Sequence, residues 1–502
     1  MRARPVLAVV LCCLATFASP GRAEPLAHRD DLDPPTRERV AEILRPPAGL
    51  TEPERFENLP GGATTVRDKR VDADIFSHPS SNLDFEGRQR FQIGNGLFRK
   101  DWVSAPSSTQ ASDGLGPLFN ARSCQGCHLK DGRGTVPDGD EPAVSLFLRL
   151  SVPPRSDDER AQLERGERAV IPEPTYGGQL QNFAVAGLPA EGRMTIRWRE
   201  RHVELAGDEV VSLRVPEYGI AEFGYGPPRR DLMVSPRLAS PMPGLGLLAA
   251  IHEADILANA DRGNDPDGVS GKPAWARAPD GSRVLGRFGW KAGQPGIASQ
   301  AAHAFAGDMG LSTPLLPDHH GDCTPAQSRC RELPHGANDG AEEVPAELLE
   351  FVAFYSSNLA VPARRDVDDP QVLAGKRLFH EARCNSCHVP KYVTRRDAAQ
   401  PEHRFQLIWP YTDLLLHDMG EDLADHRPEG LADGREWRTP PLWGVGLAQT
   451  VNPRASFLHD GRARSLLEAI LWHGGEAQAA RDRVVRMTPQ QRADLIRFLE
   501  SL

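Results

Sequence analysis

Two runs of residues carry most of the chemistry this chain can do: Cys124-x-x-Cys127-His128 and Cys384-x-x-Cys387-His388, set 260 residues apart. In this spacing both thiols can add to the vinyl groups of a haem, and the next residue is delivered by the same turn beneath the iron as its proximal ligand. A four-thiolate zinc site brings its two halves within a few tens of residues of each other. A thioredoxin-like dithiol needs a strand and helix frame that neither motif has, and plain disulfides leave both histidines without a role. The expectation is two covalently bound haem c groups, attached at Cys124, Cys127, Cys384 and Cys387, with His128 and His388 as axial ligands. A third pair, Cys323 and Cys330 in "DHHGDCTPAQSRC", has no histidine after it. In an oxidising compartment it predicts a local disulfide, with a redox-active dithiol as the alternative.

That compartment is itself legible. The first 23 residues read as a cleaved secretory signal: Arg2 and Arg4, an apolar run from Val6 to Phe17, and small residues before a cleavage point after Ala23. The run is too short for a membrane anchor, and the residues before Cys12 and Cys13 are wrong for lipid attachment. A periplasmic protein without membrane insertion is expected. Its formal charge of −10 becomes −13 once Arg2, Arg4 and Arg22 are gone, which argues against nucleic acid and mildly favours a cationic redox partner.

The elements that must position the two motifs repeat. "DPQVLAGKRLFHEARCNSCH" predicts a helix starting after Asp369 and Pro370 that leads into the second motif, and "MTPQQRADLIRFLESL" a closing helix capped by Thr488. "FEGRQRFQIGNGLFRKDW" precedes the first motif, and there Gly94, Leu97 and Phe98 echo Gly375, Leu378 and Phe379. "EVPAELLEFVAFYSSNLAVP" closes that half with one apolar stripe. Between them, "MTIRWRERHVEL" and "VVSLRV" alternate with period two and predict a hairpin. The expected fold is mainly α: an N-terminal extension (24–80), a cytochrome c-like domain (81–365) with a β-containing insertion at about 140–240, and a second cytochrome c-like domain (366–502).

With these motifs, and with "DGLGPLFNARSCQGCH", "GRFGWKAGQP", "YTDLLLHDMG", "EWRTPPLWGVGL" and "FLHDGRARSLLEAILWHGGEA", the chain resembles the di-haem oxidoreductases labelled thiol oxidoreductases with two cytochrome c haem sites. It is more distantly similar to bacterial di-haem cytochrome c peroxidases and to the di-haem enzyme that matures methylamine dehydrogenase. The resemblance covers almost all of the mature chain. It implies that the C-terminal haem transfers electrons and that its sixth ligand follows His459-Asp460-Gly461, which places it on His473. The peroxidases usually have methionine there; His417 and Met419 are the rival ligands. For the N-terminal haem it implies either an open iron beneath Gln300 and Asp308, with Glu253 as a substitute carboxylate, or an iron closed by Met309. Trp290 matches the aromatic between the haems. The family's calcium suggests Asp261, Asn264, Asp265 and Asp267 as Ca²⁺ ligands.

The function expected is a peroxidase-like di-haem oxidoreductase taking electrons from a small cytochrome or cupredoxin and passing them to peroxide or another small oxidant. The alternative is a non-catalytic electron carrier with both irons six-coordinate. The family label adds oxidation of a thiol, a metal ion or another protein.

Overall fold

The computed structural model describes residues 24–502 except 48, 68–69, 110–111, 140, 261–262, 264, 279 and 338–340. The expected signal sequence, 1–23, therefore lies outside the described residues, as do Asp261 and Asn264. No helix among the described residues is long and apolar enough to cross a membrane.

Six helices frame the two motifs. Helix α1 (Phe85–Arg99) starts at Asp84, whose carboxylate accepts the Gly87 amide. Helix α2 (Ile297–Met309) stops where Gly310 turns left-handed, at φ 67°. Helix α3 is Ala346–Ser357. Helix α4 (Pro370–Glu381) combines a capping Asp369 with proline in its first turn. Helix α5 (Leu466–Leu471) is short, and α6 (Pro489–Ser501) opens on a capping box between Thr488 and Gln491.

Four of these helices pack in two similar pairs, α1 with α3 and α4 with α6, which gives the echoing glycines a reason. Where α1 crosses α3, a Cβ on Gly94 would stand 2.3 Å from the Phe351 carbonyl oxygen; where α4 crosses α6, one on Gly375 would stand 2.0 Å from that of Asp494. Backbone meets backbone at both crossings. The first pair buries Phe91, Phe98 and Tyr355 together with Phe305 and Met309 of α2. The second buries Val372, Phe379, Leu495 and Phe498.

The mainly α expectation is overturned: the protein is 31% helical and 17% strand, a mixed α/β architecture. Strands β1 (Leu146–Ser151), β2 (Arg193–Leu205), β3 (Glu209–Ala221) and β4 (Met233–Leu238) form two antiparallel pairs, β1 with β4 and β2 with β3. The hairpin runs in register from Arg193 opposite Ala221 to Leu205 opposite Glu209. Its loop uses positive φ at Gly207 and Asp208. Much of the remaining strand consists of ladders such as Tyr392–Val393 against Leu407–Ile408, too short for alternation to mark them in a sequence.

The hairpin does not stand alone. Leu205 and Leu213 are buried with Leu423, Phe457 and Trp472. Tyr218 donates to the Asp460 carbonyl at 3.1 Å, and Arg214 to those of Gly461 at 3.1 Å and Arg462 at 3.2 Å.

Candidate functional site

The second motif turns directly out of α4. Arg383 adopts a left-handed backbone (φ 64°), and the His388 amide closes the turn on the Cys384 carbonyl at 3.0 Å. His388 Nδ1 lies 2.9 Å from the Tyr411 carbonyl. A carbonyl only accepts, so Nδ1 carries the hydrogen and Nε2 is left bare, the tautomer that a metal ligand needs. Burial holds the His388 pKa down to about 4, so the ring is neutral. His473, just past α5, repeats the device by donating from Nδ1 to the Ala469 carbonyl at 2.8 Å; burial lowers its pKa as well.

Cys384, Cys387, His388 and His473 line one cavity, open to solvent, with apolar walls from Phe379, Leu442, Val445, Leu466, Ile470 and Leu495. Four arginines also reach it, Arg133, Arg383, Arg438 and Arg481, and of these Arg133 and Arg438 are buried. Arg133 donates to the carbonyls of Ser456 (2.8 Å) and Leu458 (2.9 Å), and Arg438 to those of Gly289 (2.9 Å) and Thr439 (3.1 Å). Burial pushes both guanidiniums down to about 10. Among the described residues neither has a carboxylate in salt-bridge contact. Buried cations without carboxylates, apolar walls, paired thiols and two Nε2-bare imidazoles suit a planar macrocycle with anionic edge groups.

His417, a rival for His473, is committed elsewhere. Its Nε2 meets Asp413 at 2.8 Å and its Nδ1 meets Glu476 at 2.7 Å. Burial pulls its pKa down, but the carboxylate of Asp413 outweighs it and holds the ring well above the usual imidazole range. Met419 lines the same cavity.

At the first motif, the His128 amide bonds the Cys124 carbonyl at 2.9 Å, and His128 Nδ1 donates to the Ser240 carbonyl at 2.8 Å. Nε2 is again bare. Asp308 belongs to this site: its carbonyl accepts the amides of Asn120 (2.8 Å) and Ala121 (3.1 Å), stitching the end of α2 to the residues before Cys124. Burial pushes Cys124 up to about 12, and the neighbouring Asp308 carboxylate adds to it. The Asp308 pKa is itself raised by burial. Met309 is 2% exposed, in the core against which Cys124 packs.

Gln300 does not join Asp308. It lies eight residues earlier on α2, about 12 Å along the axis, and its side chain stands beside Gly289. The amide on Asp308 is instead that of Gln179, with Nε2 at 2.9 Å from Oδ1 and at 2.5 Å from Asn120 Oδ1. Glu253 opens a short helix, Glu253–Leu257, and its charge acts on Arg287. Trp290 lies on the wall of the C-terminal cavity, held by donation from Nε1 to the Leu238 carbonyl at 2.8 Å. Arg133, from the loop after the first motif, sits 5.8 Å from its ring centroid.

The family described as "Di-haem oxidoreductase, putative peroxidase" matches residues 57–222 and 227–502. The chain belongs to that di-haem family. No curated protein matches the sequence significantly. Among solved structures, hydrazine synthase of Kuenenia stuttgartiensis pressurised with 20 bar xenon is similar at 14% identity, covering 73% of this chain and 95% of that one, with a TM-score of 0.28.

Of the four calcium candidates, the two within the described residues are bound to arginine in this di-haem chain. Asp265 pairs with Arg383, and Asp267 pairs with Arg383 at 2.7 Å and with both terminal nitrogens of Arg483 at 2.7 Å. These bridges hold the 265–267 loop against the second motif. The sulfurs of Cys323 and Cys330 are at bonding distance, with Cα atoms 6.2 Å apart. Sequence reasoning missed Gln179, Arg133, Arg438 and the Asp413–His417–Glu476 trio. Only Asp413 and His417 left a trace, their four-residue spacing. It also passed over His459 as a side chain; here its ring stacks on Trp437 at 3.7 Å and lies 6.4 Å from Trp290.

Proposed function

We propose that the protein is a periplasmic, peroxidase-like di-haem c-type oxidoreductase. Cys124 and Cys127, and Cys384 and Cys387, would attach the two haems; His128 and His388 would hold their irons, and His473 would be a second protein ligand for the C-terminal one. The observation that carries this reading is the cavity that joins the second motif to His473, each histidine with Nδ1 tied to a carbonyl. Haem bound there supplies one-electron transfer, and the N-terminal haem supplies an iron that can accept peroxide.

In this reading the C-terminal unit (366–502) relays electrons from a small cytochrome or cupredoxin, and the N-terminal unit (81–365) reduces the oxidant. Peroxide must lose a proton from one oxygen and gain one at the other before the O–O bond breaks. Asp308 is suited to carry that proton: its raised pKa keeps the carboxyl protonatable nearer neutrality, and Gln179 fixes its orientation. Trp290, held at Nε1 and beside Arg133, keeps an aromatic ring between the first-motif loop and the C-terminal cavity.

One observation favours the non-catalytic alternative, the seating of Met309 in the core beside Cys124. Low-temperature EPR separates the two. A high-spin ferric signal beside a low-spin one, with peroxide turnover lowered about 100-fold or more in Asp308→Asn at unchanged haem content, is expected. Two low-spin signals that persist after addition of one electron refute the peroxidase reading.

A further inference from the structure

Between α2 and α3 the chain makes a long excursion through "STPLLPDHHGDCTPAQSRCRELPHG", and its two ends come together around one buried carboxylate. Glu343 has a fully buried side chain. Its Oε2 accepts the Ser312 amide at 3.0 Å and the Ser312 hydroxyl. Its Oε1 is buried with no hydrogen-bond partner among the described residues. An unsatisfied buried oxygen on a carboxylate is costly unless a cation or donor meets it.

Two imidazoles stand at that carboxylate. His319 Nδ1 lies 3.2 Å from Glu343 Oε2. The His319 and His335 rings stack with centroids 4.4 Å apart and planes at 15°. One ligating atom from each of His319, His335 and Glu343 lies within 4.8 Å of the others. Tetrahedral bonds of 2.0–2.2 Å place ligand atoms about 3.4 Å apart, so the three need close by at most about 1.4 Å. His335 is exposed, which leaves it free to make that move.

We propose that His319, His335 and Glu343 form a binding site for one divalent transition-metal ion of the zinc class, separate from both haem sites. Two imidazoles and a carboxylate are borderline ligands that favour zinc over calcium or magnesium, which take oxygen. Ser312 acts behind the ligands: by holding Oε2 from two sides it aims Oε1, as outer-shell donors do for metal carboxylates. The metal would also tie α2 to α3. Ser312 lies three residues beyond Met309, Glu343 lies three before α3, and the Val344 amide already bonds the Ser312 carbonyl at 3.1 Å. An ion there fixes the end of α2 that bears Asp308.

The test is equilibrium dialysis of the chelator-treated full-length holoprotein against zinc chloride alone, with zinc measured by elemental analysis per chain. One saturable zinc per chain is expected, with affinity lowered at least tenfold in His335→Gln and in Glu343→Gln. Because His335 is exposed, its substitution leaves the fold intact, which circular dichroism checks, and it stays informative even where Glu343→Gln misfolds. Absence of saturable zinc, or binding undiminished in a folded His335→Gln protein, overturns the proposal.

Discussion

Helix α1 contains a paired experiment in two glycines two positions apart, Gly94 and Gly96. Alanine at either position gains helix propensity of about 1 kcal/mol, and what differs is what the new methyl meets. At Gly96 a Cβ meets nothing within 4 Å; at Gly94 it would lie 2.3 Å from the Phe351 carbonyl oxygen and 2.6 Å from Tyr355 Cβ. A van der Waals contact needs well over 3 Å, and a carbonyl of α3 cannot rotate aside as a side chain could. The helices must separate by about an ångström, loosening the packing of Phe91 and Phe98 on Tyr355. Overpacking of this kind costs typically 1–3 kcal/mol, and because backbone is the obstacle the upper end applies. Gly94→Ala should therefore lose about 2 kcal/mol net, whereas Gly96→Ala should gain about 0.5–1 kcal/mol. Urea unfolding followed by near-UV circular dichroism reads both. A Gly94→Ala protein as stable as Gly96→Ala would refute the argument that backbone contact fixes this crossing.

Replacing His473 by alanine should remove the sixth ligand proposed for the C-terminal haem, and low-temperature EPR should then show its low-spin signal converted to high-spin while a pyridine haemochrome assay still counts two haems per chain. An unchanged spectrum would move the ligand to Met419. Stability should also fall with rising pH near Asp322, whose carboxyl burial pushes up to about 6 from 3.8 despite amides donated by Gly178 and Gln179. A raised carboxyl pKa favours the folded state while the group is protonated, so this contribution is present below about pH 4 and lost as pH climbs through 6. It amounts to at most about 3 kcal/mol. Asp322→Asn should narrow the difference in urea stability between pH 4 and pH 7, and an unaltered difference would count against the burial argument.

What the sequence revealed was local. Asp369 with Pro370, and Thr488 with Pro489, announce helix starts because capping is decided within four residues. The β2–β3 hairpin is legible from alternation, and the Cys-x-x-Cys-His turns from their own chemistry. What stayed hidden depends on distance along the chain. Gln179 reaches Asp308 across 129 residues, and Glu476 completes the His417 trio from 59 residues away. Asp265 and Asp267 look like free oxygen ligands until the fold brings Arg383 and Arg483 onto them. The helical weighting of the fold erred for a related reason. Ladders of two or three residues are stabilised by their surroundings and have no pattern of their own.

The hairpin's seat on Leu423, Phe457 and Trp472 bears on how the chain comes to be folded. Residues 193–221 must wait, apolar face uncovered, until partners some 200 positions later are made and delivered. The early half therefore cannot finish first as a free-standing unit. Cutting the gene between the halves should yield two sticky fragments in place of two working cytochromes. Loss of the last helices should be felt at once in a hairpin far upstream.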